Sequence, residues 1–148
     1  MDWMLMPYRR YFDFSGRSRR KEYWMFALLM ALVYAVAGSL MVAGGLPAIW
    51  TSTGGSPAFS PLFWVGAVIA GVFFIGSFIP AVAVSVRRLH DLGYSGWWYL
   101  GVLVVGQVPY LGALVNLVFL VVTCLNGNIG SNRFGPDPKD PVQVEVFA

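Results

Sequence analysis

A chain of 148 residues that is 57% hydrophobic and only 11% charged reverses the balance of a soluble domain, and its length suits one compact membrane domain with no room for a second, soluble one. The net charge of +3 does not point to nucleic acid, because Arg9, Arg10, Arg17, Arg19, Arg20 and Lys21 hold six of the ten basic residues just before the first apolar run. Residues 23–86 and 92–132 contain no Asp, Glu, Lys or Arg, which argues for a bilayer as solvent.

In chain order, residues 1–22 form a basic N-terminal segment. The run that follows predicts a transmembrane helix over 23–44, about 33 Å long and enough for the hydrocarbon core. Ala35, Val36 and Ala37 resemble the small-residue cleavage site of a signal peptide, but the apolar stretch continues past them, so retention of the segment is expected. Ala27, Ala31, Ala35, Ser39 and Ala43 recur every four residues. Such a ridge lets another helix approach closely, either within the chain or in a second copy.

Residues 45–61 carry three prolines and three glycines, which predicts an irregular loop, with Trp50 and Phe59 suited to the membrane interface. The second apolar run predicts a helix over 62–86. Pro80 inside it removes one backbone hydrogen bond and should kink the helix, with Ser77 one candidate to satisfy the freed carbonyl. Ala67 with Gly71, and Ala81 with Ser85, give this helix small faces for packing. Basic residues flank the two helices, six before the first plus Arg87 and Arg88 after the second, and none lies between them. Both flanks are therefore expected in the cytoplasm and residues 45–61 outside.

The last apolar stretch, 97–125, would be about 43 Å as one helix, too long for a core of about 30 Å. Gly106, Gln107, Val108, Pro109 and Tyr110 divide it into a hairpin of two short helices, 97–108 and 111–125, each short of a full span. A hairpin is favoured over a single kinked span, which stays open. Gln107 and Asn116 are expected to hydrogen-bond between helices. Cys124, the single cysteine, excludes an intrachain disulfide and reads as a small buried hydrophobe. Residues 126–148 form a polar tail. The expected fold class is thus an all-α integral membrane protein, with two full transmembrane helices plus a C-terminal hairpin of two shorter membrane helices, four in all, over 23–125.

Three charged motifs punctuate this pattern. In RRLHD, Arg87 and Arg88 end the second helix, where cations suit the negative helix terminus and can meet lipid phosphates. His90 and Asp91 are adjacent in sequence, so on a helix they point apart and form no ready acid–base pair. Ser95 is placed to cap a helix beginning near Trp97, and Trp97 and Trp98 suit the interfacial aromatic belt. Ser18 is placed to cap the first span. Glu22 at the membrane edge has several Arg partners available and, if buried or half-buried, would need one. Asn132, Gly135 and two prolines describe a rigid turn, and Arg133 is expected to pair with Asp91 or Asp137.

The stretches FDFSGRSRRKEYW at 12–24, RRLHDLGYSGWW at 87–98 and GSNRFGPDP at 130–138 resemble the bacterial inner-membrane family catalogued as domain of unknown function 805. The resemblance runs from about Tyr8 to Pro138. Leu92 and Tyr94 fall where the family pattern has a small hydroxyl and often a basic residue, so these two positions tune the loop. The resemblance implies a small multi-pass protein of the bacterial inner membrane, and no reaction, substrate or cofactor. If the hairpin folds back, the C-terminus joins the N-terminus in the cytoplasm. Arg17, Arg20, Glu22, Arg87, Arg88, His90, Asp91, Ser95, Asn132 and Arg133 then form one polar cluster, while Ala27, Ala31, Ala35, Ser39 and Gly71 serve helix packing.

An accessory, scaffold or regulatory membrane component fits these features best. A subunit of a small-molecule or ion transporter or channel is the alternative, although both long spans lack the mid-membrane ionisable groups that ion-coupled carriers use. An interfacial lipid-acting enzyme comes third. One His and one Cys are too few for a zinc site, and Ser95 in GYSG is not in a nucleophile elbow. No catalytic residue, metal or cofactor is expected. The expected partners are the lipid bilayer with its anionic headgroups, and a second copy of the chain or another membrane protein.

Overall fold

The computed structural model describes residues 2–51 and 59–139. Among the described residues it is all-helical, with α1 (Asp2–Arg9), α2 (Arg20–Ala43), α3 (Ala48–Thr51), α4 (Pro61–Asp91), α5 (Trp97–Val105) and α6 (Leu111–Cys124). The chain divides into two compact units, one of Met1–Phe26 with Ile79–Ala148 and one of Ala27–Phe78.

Helices α2 and α4, of 24 and 31 residues, are long and apolar enough to cross a membrane. Their most apolar windows are only 11% and 22% buried by the chain's own atoms, whereas the core helix of a soluble protein would be mostly covered. Leu32, Val36, Val68, Val72 and Ile75 all face outward. Apolar side chains left uncovered in this way match a hydrocarbon surround, where Leu and lipid tails are equally apolar.

Both long helices stop by the same device. At the end of α2, Leu46 N–H donates to Met41 C=O at 3.0 Å and Gly45 N–H to Val42 C=O at 3.2 Å. At the end of α4, Tyr94 N–H donates to Leu89 C=O and Gly93 N–H to His90 C=O, each at 3.0 Å. These are paired Schellman bonds, which need a left-handed residue after the helix. Gly45 and Gly93 supply it, with φ of 103° and 81°.

Several sequence expectations shift. Helix α4 runs five residues past Val86, because the charges of its last turn are paired and the backbone need not break to hydrate them. Helix α1 lies within the basic segment, where eight residues give too little periodicity to read. The described residues of 45–61 include one helical turn, α3, and Phe59 stacks on Phe63 at 4.1 Å; the side chain of Trp50 lies outside the described residues. Pro80 is buried inside a continuous α4, and Ser77 is buried too.

In the unit Ala27–Phe78, the small-residue ridge does not make the close approach. Ala27 is half-buried, while Ala31, Ala35, Ser39 and Gly71 are exposed. A four-residue spacing advances about 40° per step on a helix of about 3.6 residues per turn, so the ridge winds around α2 and leaves any one contact face. Contact falls on Ala37, which is buried, and on Gly66, where an added Cβ would lie 2.6 Å from Ala37 C=O.

Helices α5 and α6 pack against each other as a hairpin, the arrangement favoured over a single kinked span. The turn is drawn tight by Gly112 N–H donating to Val108 C=O at 2.7 Å, and it holds Tyr110 at φ 63°. Tyr99 meets Phe119 across the hairpin at 5.2 Å, and Asn116 donates to Gly106 C=O at 3.4 Å. Gln107, in the turn after α5, instead bonds back to Leu103 C=O near the end of α5, at 3.5 Å. Cys124 is exposed and not the buried hydrophobe expected, because α6 turns its outer side away from α5.

Candidate functional site

The motif residues at 10–22, the last turn of α4 and the segment after α6 meet within the unit that contains both chain termini. Asp91 is the hub. Its Oδ1 accepts from Arg17 Nε at 2.9 Å and its Oδ2 from Arg88 Nη1 at 2.5 Å. All three side chains are at most 2% exposed. Arg17 then spreads its remaining donors over two loop carbonyls, Gly130 and Asn128, each at 2.5 Å. Asn128 N–H closes the loop onto Asp91 C=O at 2.8 Å.

Arg88 caps the far end of the hairpin. Its Nε donates to Thr123 C=O at 3.2 Å and its Nη2 to Leu125 C=O, while Arg20 Nη1 donates to Cys124 C=O at 2.9 Å. Three consecutive carbonyls at the end of α6, the negative pole of its dipole, thus receive guanidinium donors. This is what brings the tail back to α4.

A second buried pair stands beside the first. Arg87 Nη2 donates to Glu22 Oε1 at 3.0 Å, with side chains 0% and 3% exposed. Arg87 Nη1 reaches Asp13 C=O and Arg10 C=O, and Ser18 N–H donates to Arg87 C=O at 3.1 Å. Arg87 Nε is buried with no hydrogen-bond partner. Among the described residues, Arg17, Arg87 and Arg88 face two buried carboxylates, Glu22 and Asp91. Main-chain carbonyls absorb the extra positive charge, as a buried ion set requires if desolvation is to be offset.

The other candidates sit around this network. His90 and Asp91 point to different partners, as adjacent helical residues do. His90 Nδ1 contacts Gly16 C=O at 3.2 Å, and its ring stacks on Phe134 at 3.9 Å and 4°. Asn132 Nδ2 donates to His90 C=O at 2.9 Å. Asn132 also forms a small β-bridge with Gly135, and its Oδ1 accepts from Phe134 N–H at 2.9 Å. Arg133 pairs with neither Asp91 nor Asp137; it donates to Gly93 C=O at 3.0 Å and lies 4.7 Å over the Phe134 ring. Asp91 is saturated by two guanidiniums, and Asp137 accepts Gly130 and Lys139 N–H groups. Ser95 makes no side-chain cap on α5, whose N-cap is Gly96. Ser18 Oγ contacts Arg19 C=O at 3.5 Å and caps no N–H.

Residues outside the expected set complete the site. Asn128 supplies two of its bonds, and Gly127 packs so close to Asp91 that any Cβ there would collide with the carboxylate. Asp13 organises the approach: Oδ2 accepts from Arg10 Nε and Nη2 at 2.9 and 2.7 Å, and Oδ1 from Ser15 N–H and Oγ at 3.0 and 2.5 Å. Burial pushes the Asp13 carboxyl up, but the Ser15 and Arg10 bonds outweigh it and hold it at about 2. An Asp that bonds a residue two places on makes an Asx-turn, so Asp13 two places before Ser15 is the sequence signal that could have found it. Nothing in sequence singles out Asn128 or Gly127.

Among the described residues, no group of three or more His, Cys, Asp or Glu side chains is placed to hold a metal ion. The arrangement joins separate chain segments, with Asp91 engaged through both carboxylate oxygens and Glu22 through Oε1.

Comparison with known proteins agrees with this reading of the motifs. Residues 11–136 match the family model described as protein of unknown function (DUF805). Inner membrane protein YhaH of Escherichia coli (strain K12) is 40% identical over 139 residues, covering 94% of this chain and 98% of the relative. Inner membrane protein YhaI of the same strain is 38% identical over 139 residues, covering 94% and 97%. No solved structure matches. The two spanning helices and these relatives make the chain a bacterial inner-membrane protein. With a family model covering residues 11–136 and relatives matching 94% of the chain, the chain belongs to the DUF805 family.

Proposed function

We propose that the protein is a non-catalytic accessory or scaffold component of the inner membrane, presenting a rigid polar platform on the cytoplasmic face. The observation that carries this is the use of the motif charges: Arg17, Glu22, Arg87, Arg88 and Asp91 are buried and bonded to one another or to backbone carbonyls. Groups committed in this way fix a shape; they do not turn over substrate. The excess of basic residues beside both long helices supports a cytoplasmic N-terminus, and the fold-back of α6 toward α4 supports reading residues 126–139 on the same side. Helices α5 and α6, at about 14 and 21 Å, are read as a hairpin that enters the membrane without crossing it. The exposed small residues Ala31, Ala35 and Ser39 remain available to a second copy or to another membrane helix.

The test is capture from native membranes. The full chain is crosslinked in its own membrane at Ala31→Cys or Ala35→Cys and purified without overexpression. A stoichiometric partner, or a second copy joined through α2, is expected. Recovery as a free monomer from every membrane condition would sink the scaffold reading.

A further inference from the structure

A cavity of about 550 Å³ opens beside the ion network, between α4, α5 and the two loops that flank His90. It lies outside the buried ion pairs, on the His90 side of the cluster, and its walls are graded. His90 and Ser95 form a polar end, and Val82 and Leu103 an apolar end. Val82 is eight residues before His90 on α4, about 12 Å along the helix axis. Aromatic rings line much of the rest: Phe14, Trp97, Tyr99 and Phe134. No Lys, Arg, Asp or Glu lines it.

The polar end has a defined hydrogen-bond sense. Gly16 C=O can only accept, so the 3.2 Å contact puts the proton of the neutral imidazole on Nδ1 and leaves a lone pair on Nε2. Nε2 is the ring atom turned toward Gly96, where an added Cβ would lie 3.1 Å from it, and Gly96 itself lines the cavity. A ligand head that reaches Nε2 must therefore donate to it. No cation lines the wall itself, and Arg133, which lies over the outer side of the Phe134 ring, is committed to Gly93 C=O, so an anionic headgroup would lack a direct guanidinium partner and phosphate and carboxylate heads are disfavoured. Flat aromatic walls select a ring over a flexible polar head, and the apolar end, lined by exposed Leu100, suits a hydrocarbon tail.

We infer that this cavity binds a neutral, ring-hydroxylated amphiphile of the quinol class, its ring hydroxyl donating to His90 Nε2 near Ser95 and its tail lying along Val82, Leu100 and Leu103. Volumes of about 300–1,000 Å³ with few polar groups are usual for such small-molecule sites.

The full-chain protein in lipid nanodiscs is titrated anaerobically with decylubiquinol, with its oxidised form decylubiquinone, and with 1-decanoylglycerol. Saturable binding of the quinol is expected, about fivefold to tenfold tighter than the quinone, the scale of one hydrogen bond whose donor is lost. His90→Phe keeps the stack on Phe134 and should erase that preference. Leu100→Trp, at an exposed helix position remote from the ion network, should fill the cavity and abolish binding while the thermal unfolding of the protein stays unchanged. Equal affinity for quinol and quinone, tighter binding of the glyceride, or full binding by Leu100→Trp would each overturn the inference. Should His90→Phe fail to fold, the ligand comparison and Leu100→Trp still decide it.

Discussion

Asp91 is the residue on which the site is most dependent, because it is the single carboxylate shared by two buried guanidiniums. Asp91→Asn keeps the size and removes the charge, leaving Arg17 and Arg88 without it. Breaking a buried pair from one side costs about 3–5 kcal/mol, a large part of a typical domain's margin. The expected outcome is a steep fall in membrane abundance and in the detergent unfolding midpoint; wild-type values in both would refute the network's role. Asp13 gives a milder, pH-dependent effect. Its carboxyl falls from 3.8 to about 2 on folding, so its contribution is fully present above about pH 4 and is lost as pH drops through about 2. Asp13→Asn should therefore lower the unfolding midpoint at pH 5 and make little difference near pH 2, the two pH points being compared in parallel melts. A constant difference across that range would rule out the carboxylate as the source.

At the scale of elements, the α5–α6 hairpin is held by what receives its last carbonyls. Arg88 and Arg20 donate to the carbonyls of residues 123, 124 and 125, so Arg88→Met should release the end of α6. Backbone amides of 126–130 are expected to exchange with deuterium at least tenfold faster, while those in the middle of α2 keep their rates. Unchanged exchange at 126–130 would mean the hairpin stands without the cap. The break between α5 and α6 was legible in Gly106 and Pro109, and both long helices in their uncharged length. Their ends were less so: α4 continues through Asp91 because distant partners neutralise its last turn, which local composition does not record. Ala37 and Gly66 were missed for a related reason, since the face a helix buries depends on the direction from which its neighbour arrives.

For the whole molecule, the fold-back predicts a topology. A reporter active in the cytoplasm and fused after Pro138 should give the same signal as one fused at the N-terminus, and a fusion within 52–58 should give the opposite one. Opposite signals from the two ends would return 97–125 to a single crossing and dissolve the cytoplasmic platform. The sequence by itself determined the solvent, since a chain without charge over 23–86 and 92–132 has nothing with which to wet a surface, and it determined that the charges fall in three motifs. Only the tertiary structure decided which charges meet. Pairing across 74 residues between Arg17 and Asp91, or across 65 between Glu22 and Arg87, depends on where helix ends come to rest in space. The preference of Arg133 for a carbonyl and a ring over either acid depends on which partners were already taken.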